Sequence, residues 1–170
     1  VLELQLPDHG YTHDAQIVNY KGPDSDHFGK EIYIGSNETK VVIVDVTDKN
    51  NPQLISQFYY DDEYTHQSWL TEDHRYALLG DELDELDQST QPWTLKDNVE
   101  TRTIVIDISD LDNPILHFNY LSDTEAIDHN GYVVGSKFYL ASYTSGMRVI
   151  DIINIEQKSF TEVGFFDTHI

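Results

Sequence analysis

The sequence predicts an all-β fold, on three observations. Short segments rich in Val, Ile and Tyr recur along the chain, and Gly, Asn, Asp and Pro separate them, as is typical of strands and turns. No window shows the apolar periodicity of a long amphipathic helix. The strand-and-turn pattern also repeats. The chain has 170 residues, which is enough for one domain with a hydrophobic core.

Seven strands are predicted from the apolar segments. They cover residues 31–34, 41–46, 76–79, 103–108, 132–134, 138–141 and 147–152. Each is short, and a turn-forming residue lies close to each end.

Three of these segments are copies of one pattern, at residues 41–54, 103–116 and 147–160. Each copy places an aspartate at the same position of its strand, namely Asp45, Asp107 and Asp151. In the first two copies a Ser/Thr-Asp pair and an Asn-Pro pair follow, which predicts a tight turn into the next strand. The third copy lacks both pairs, so its turn must be built differently.

The spacing of the copies predicts a β-propeller of four-stranded blades. The equivalent aspartates are 62 (107 − 45) and 44 (151 − 107) residues apart. The shorter distance is close to the roughly 40–50 residues of one blade, and the longer one contains an insertion at 83–100. We predict blades at about 13–63, 64–126 and 127–170. Residues 1–12 are predicted to form the outer strand of a preceding blade.

Three blades are too few to close a ring, because propellers usually have about four to eight. Further blades in a longer parent chain are the favoured explanation. Assembly of several copies and an open stack of sheets are the alternatives.

The charge of the chain limits its partners. Acidic residues outnumber basic ones by 31 to 10, for a net charge of −21, so nucleic acid is not an expected partner. The excess fits a divalent cation, a cationic partner or a solvated acidic surface. There is no cysteine for a disulfide or a thiolate site. No apolar run reaches the roughly 18 residues that span a bilayer, so direct membrane insertion is not expected.

The topology of a blade predicts where a binding site would form. The connection into the first strand and the connection between the second and third strands open on the same face, near the axis. The candidate ligand-binding residues on this axial rim are His13, Asp14, Glu38, His66, Gln67, Asp128, His129 and Tyr143. They could ligate a metal or a small polar ligand. Alternatively, they hydrogen-bond neighbouring blades and satisfy buried backbone.

The insertion begins with DELDELDQ, which brings several carboxylates to the same rim. Calcium takes six to eight oxygen ligands, although the DxDxDG pattern of a dedicated calcium loop is absent. A solvated acidic loop is the alternative. The candidate metal ligands are therefore His13, His66, His129, Asp81, Glu82, Asp84 and Glu85, for calcium or another divalent cation.

Two further features are predicted to be structural. Residues 24–27 form a polar cluster that is expected in a turn on the opposite face. His74 is expected in a turn between strands, with its ring exposed. Motifs of hydrolases, phosphate-binding loops and dinucleotide folds are missing, so a catalytic role is not favoured. A metal-dependent hydrolase with an axial His/carboxylate site is the alternative function.

Many short motifs occur in the order found in one family. The segments VVIVDVTD and TIVIDISD resemble the LVIVD repeat of surface propellers. The segments YTHDAQ, SNE, YTHQSWLTEDH, DELDE, AIDHN and TSGMRVIDI resemble the choice-of-anchor B family. This resemblance implies an extracellular or cell-surface β-propeller, tethered by anchors that differ among members, and gives no established catalytic activity to carry over. The expected function is non-enzymatic, with a protein or glycan at the cell surface as partner or with self-assembly.

Overall fold

The computed structural model describes residues 9–61, 63–90 and 92–168. Its strands are β1 Asp14–Asn19, β2 Glu31–Ser36, β3 Val41–Asp45, β4 Gln53–Phe58, β5 Thr65–Leu70, β6 Tyr76–Asp81, β7 Leu86–Asp87, β8 Thr94–Leu95, β9 Arg102–Asp107, β10 Ile115–Leu121, β11 Gly131–Val134, β12 Lys137–Ser142, β13 Gly146–Asn154 and β14 Ser159–Phe166. Two single-turn 3₁₀ helices cover Tyr143–Ser145 and Ile155–Gln157. The predicted outer strand over residues 1–12 lies mostly outside the described residues.

The strands form three four-stranded antiparallel sheets. The first sheet has the order β1-β2-β3-β4, the second β5-β6-β9-β10 and the third β11-β12-β13-β14. In each sheet, neighbouring strands pair in the order in which the chain reaches them, apart from the small β7-β8 hairpin between β6 and β9. The predicted all-β fold with four-stranded blade-like sheets is confirmed.

The repeated aspartate has the same local role in all three sheets. In each copy the aspartate Oδ1 accepts a hydrogen bond from the backbone N–H two residues later. The distances are 3.0 Å for Asp45 and Thr47, 2.9 Å for Asp107 and Ser109, and 3.0 Å for Asp151 and Ile153. Such a bond folds the chain back at the end of a strand. Asp45 and Asp107 end their strands, whereas Asp151 lies inside β13, which continues to Asn154 and is followed by the 3₁₀ helix Ile155–Gln157. The turn of the third copy is therefore built differently, as the sequence predicts from the missing Ser/Thr-Asp and Asn-Pro pairs.

The second sheet is buried on both faces. Along β6 the apolar side chains alternate, so that Ala77 and Leu79 pack towards the first sheet while Tyr76 and Leu78 pack towards the third. The alternation follows from the two-residue period of a strand. Two apolar cores result, one between each pair of neighbouring sheets.

The inner strands join the three sheets next to the axial end. Strand β5 packs against β1 and β2 on one side and β11 on the other. Gln16 Oε1 accepts the Leu70 N–H at 2.9 Å, and Gln67 Oε1 accepts the Gly131 N–H at 2.6 Å. These bonds fix the positions of β1, β5 and β11 relative to one another along the strand direction. The described residues contain no helix long and apolar enough to cross a membrane.

Candidate functional site

The three predicted axial histidines form one row. The ring centroids of His13 and His66 are 4.2 Å apart, as are those of His66 and His129. Tyr64 meets His13 edge-on at 5.4 Å, and Tyr143 meets His129 in the same way at 5.5 Å. The row therefore contains five aromatic rings from three sheets. Each histidine lies at or next to the start of the first strand of its sheet.

Glu82 lies against two members of this row. Its Oε2 is 3.6 Å from His66 Nε2, and its Oε1 is 3.6 Å from His129 Nε2. Tyr143 donates a hydrogen bond of 2.6 Å to the same Oε1. Glu82 directly follows β6, and Tyr143 directly follows β12, so the connection after the second strand of two neighbouring sheets supplies both side chains.

The spacing of these atoms suits a metal ion. One ligand atom each from His66, Glu82 and His129 lies within 4.8 Å of the other two. Nitrogen and oxygen ligands about 2.1 Å from a tetrahedral zinc ion are separated by roughly 3.4 Å. The 3.6 Å contacts are close to that separation. Two imidazoles and one carboxylate also form a donor set that zinc accepts while keeping a fourth position open.

His66 is almost fully buried, whereas His129 is half-buried. The burial of His66 determines its protonation state. Burial lowers the pKa of His66 to about 4, against the opposing effect of Glu82 and with support from His129 and His13. His66 is therefore neutral at pH 7 and can offer a lone pair to a cation. The hydrogen bond to Glu82, together with burial, raises the pKa of Tyr143 to about 12, so the phenol keeps its proton.

His13 stands next to this cluster without joining it. Its Nδ1 is 3.1 Å from the carbonyl oxygen of His66. Burial, followed by the charge of Glu38, raises the pKa of Tyr64 on the other side of His13. Glu38 itself has a positive φ of 50° and pairs with Thr65 through an isolated bridge. These residues build the wall of the axial opening.

The fold and this geometry agree with a comparison to known families. A family described as Beta propeller domain matches residues 23–161, which is most of the chain. The chain belongs to the β-propeller domain family. A comparison with curated proteins gives no match.

Two predicted rim residues of this propeller already accept backbone hydrogen bonds, but only Gln67 links two blades. Gln67 accepts the Gly131 N–H of the next blade, and Asp14 accepts the N–H of Ala15 at 2.6 Å. For Gln67 the structural alternative applies, because its carbonyl oxygen satisfies a buried N–H of a neighbouring blade. Asp14, the first residue of β1, uses one carboxylate oxygen to accept this hydrogen bond.

The segment DELDE, where β6 passes into the acidic insertion, is packed against the body of the propeller, whereas most residues of the insertion from Gln88 onward are exposed. Asp81 and Glu85 are fully buried, so a solvated loop is the wrong description of this segment. Asp81 accepts hydrogen bonds from Tyr60 Oη and from the N–H groups of Glu63 and Tyr64, at 2.6–2.9 Å. With three donors, it is a structural anchor for the chain that enters β5.

Asp84 and Glu85 both contact Arg102, the first residue of β9. The Arg102 Nε donates to Asp84 Oδ2 at 2.5 Å, and its backbone N–H donates to Glu85 Oε1 at 3.1 Å. Burial and the neighbouring Asp84 raise the pKa of Glu85 to about 9. Burial also raises the pKa of Asp84, despite Arg102. Neither residue lies in the His66–Glu82–His129 group.

The opposite face of the propeller contains a second polar cluster. His27 Nε2 is 2.9 Å from Asp112 Oδ2, and Asp24 Oδ2 accepts the Leu111 N–H at 2.9 Å. This cluster joins the turn at 24–27, where the sequence predicts it, to the second blade. No local pattern in the sequence indicates the role of Asp112, because only the packing of the blades brings it next to His27.

His74 does not have the exposed ring that the sequence predicts. It is buried, and its Nδ1 accepts the Lys21 N–H at 3.2 Å. Its φ of 55° is consistent with the predicted turn. The ring packs 5.9 Å from Tyr20, so the first blade covers it.

Proposed function

We propose that this chain is a non-enzymatic binding propeller of the cell exterior or cell surface, and that its axial opening binds a divalent transition metal through His66, Glu82 and His129. The observation that carries the proposal is the pair of 3.6 Å contacts from the two Glu82 oxygens to the two Nε2 atoms. Zinc is the ion that suits this donor set best, because it accepts mixed imidazole and carboxylate ligands in tetrahedral geometry.

The protonation of the cluster supports a cation rather than an internal ion pair. With the pKa of His66 near 4, its imidazole carries no charge at pH 7. The Glu82 carboxylate thus faces a neutral ring at 3.6 Å, which is longer than a good hydrogen bond. A metal between the three groups would satisfy both nitrogens and the carboxylate together.

The position of the cluster supports a binding role. Three protein ligands leave a coordination position for a donor from a partner, such as a carboxylate or an imidazole. The exposed His13 lies next to the cluster and could contribute to the partner's contact. The proposal that the protein acts outside the cell rests on its resemblance to surface propellers, and the absence of cysteine is compatible with an oxidising exterior.

Zinc titration of the metal-free protein tests the metal site. We expect one zinc ion to bind per chain by isothermal titration calorimetry, and binding to be lost in His129→Ala, because the variant keeps only two of the three ligands. The matched control is His117→Ala. His117 is also half-buried, but its Nε2 contacts the Ile155 carbonyl oxygen at 2.8 Å, away from the axis.

Equal zinc affinity in His129→Ala and the unmodified protein would contradict the proposed site. The same conclusion would follow if metal analysis after zinc loading found no retained ion. The location is tested separately: protease treatment of intact producing cells should remove the protein, and protection from protease would contradict a surface role.

A further inference from the structure

A cavity of about 340 Å³ lies beside the axial row of rings and shares two residues with it, His129 and Tyr143. The third blade supplies further walls, namely Ala141 near the end of β12, Met147 near the start of β13, and Thr168 after β14. Sites for small ligands in proteins usually have volumes of roughly 300–1,000 Å³. The cavity is therefore large enough for a small molecule next to a proposed zinc ligand.

Gly146 lets the chain after β14 approach this cavity closely. Its φ is 70°, a value that glycine adopts readily, and a Cβ atom there would collide with the carbonyl oxygen of Phe166. The segment 166–168 therefore packs directly on the start of β13, and this contact holds Thr168 at the cavity.

Ala141 and Met147 give the cavity an apolar surface. They are partners in the pairing of β12 with β13, so their side chains lie side by side on one face of the sheet. Both are exposed, Met147 by 41%. Methionine adapts its shape to a bound apolar group, and covering exposed apolar surface is favourable. This surface therefore favours a ligand with an apolar chain.

The charge at the cavity favours an anion, although the chain as a whole is strongly acidic. No Asp or Glu is among the described residues that line the cavity. In the proposed zinc site the ion is divalent, Glu82 contributes a single negative charge, and both imidazole ligands are neutral. The site therefore has a net positive charge, which a single carboxylate neutralises. Zinc with three protein ligands also keeps a fourth position open for such a group.

We propose that this cavity binds a small monocarboxylate with an apolar chain. The carboxylate takes the fourth coordination position of the zinc ion at His66, Glu82 and His129. The apolar chain lies on Ala141 and Met147. This inference rests on the proposed function, because the zinc ion supplies the charge that attracts the carboxylate.

Isothermal titration calorimetry of the zinc-loaded protein at pH 7 tests the cavity with three probes. Hexanoate has both the carboxylate and the chain, acetate lacks most of the chain, and hexylamine has an ammonium group in place of the carboxylate. The variant is Ala141→Leu, which fills part of the cavity. The matched control is Val134→Leu, which enlarges an exposed residue of the same sheet. Val134 is the last residue of β11, whereas His129 precedes the first.

Hexanoate is expected to bind at least about tenfold more tightly than acetate, because its additional methylene groups are covered on binding. Hexylamine is expected not to bind, because the positive zinc site repels its ammonium group. Ala141→Leu should abolish the preference for hexanoate over acetate and leave the zinc affinity unchanged. Val134→Leu should behave like the unmodified protein in both measurements.

The proposal is overturned if the zinc-loaded protein binds hexanoate no more tightly than acetate, or if hexylamine binds as well as hexanoate. It is also overturned if Ala141→Leu keeps the preference. If Ala141→Leu does not fold, Met147→Gln decides by the same criterion, because it replaces the exposed apolar side chain with a polar one of similar length. A zinc titration beforehand separates two failures. Without zinc binding, the proposed function and this inference both fail, whereas zinc binding without a hexanoate preference rejects this inference alone.

Discussion

Two clusters of histidine and carboxylate lie at opposite ends of the blades, and both bring three potential ligand atoms within 4.8 Å of one another. The axial cluster contains His66, Glu82 and His129. The cluster on the opposite face contains Asp24, His27 and Asp112. By distance alone the two are equivalent, and only their surroundings distinguish them.

In the opposite-face cluster the ligand atoms already have partners. Asp24 accepts the N–H groups of Leu111 and Asp26, and the Lys30 ammonium lies 3.4 Å from His27 Nδ1. The Asp112 side chain is 65% exposed, so water solvates it. A cation there would compete with a lysine and with two backbone donors.

In the axial cluster no basic side chain contacts Glu82 among the described residues, apart from the two imidazoles. His66 is buried and neutral, and the Tyr143 hydroxyl donates a hydrogen bond to Glu82. The comparison teaches that the proximity of ligands is a weak criterion for a metal site. The hydrogen bonds and ion pairs that the ligand atoms already make are the stronger criterion.

The largest expected effect is on zinc affinity. Glu82→Gln should weaken zinc binding on the order of 100-fold or more, because a neutral amide oxygen replaces the charged ligand. Asp112→Asn should leave the affinity unchanged. Competition against a chromophoric chelator measures both constants. A similar loss in the two variants would remove the distinction between the clusters.

The next effect concerns stability. Asp24→Ala should lower the free energy of unfolding by about 1–3 kcal/mol, because the buried Leu111 N–H loses its acceptor. Zinc affinity should not change. Urea denaturation measures the stability, and Asp26→Ala, an exposed neighbour in the same turn, is the control. A loss of zinc binding in Asp24→Ala would show that the opposite face contributes to the metal site.

The smallest effect is a pH dependence on the opposite face. Burial lowers the pKa of His74 below its unfolded value of 6.5, so the folded state binds a proton less readily than the unfolded state. Its contribution is fully present above about pH 6.5 and is lost as the pH falls below that value. His74→Asn should flatten the stability profile there by no more than about 1.4 kcal/mol per pH unit. An unchanged slope in urea titrations from pH 7 to 5 would contradict this.

The sequence was sufficient to predict the parts that depend on repetition. The seven predicted segments are strands because apolar β-formers alternate with turn residues. One histidine per blade contacts the next because equivalent positions of a repeat occupy equivalent places. The turn aspartates, such as Asp107, behave alike for the same reason.

The parts that depend on contacts between blades could not be predicted. Asp128 is enclosed only because Gly80, 48 residues earlier (128 − 80), has no side chain. His74 is covered by Tyr20 of another blade, and a local pattern contains no signal for that contact. The segment DELDE likewise suggests a solvated loop. Instead, hydrogen bonds from Arg102 hold Asp84 and Glu85 against the start of β9.

The pair of Glu82 contacts has a further consequence for how the chain is held together. His66 and His129 are 63 positions apart (129 − 66); His66 is the second residue of β5, and His129 lies two residues before β11 of the next blade. A metal that joins them would close a loop of that length in a chain without cysteine. Because such an ion would bind the folded state, it would stabilise the pairing of the two blades by mass action, and more strongly at a higher free metal concentration. The ion would thus act as a reversible cross-link between the two blades, and a chelator would remove that cross-link.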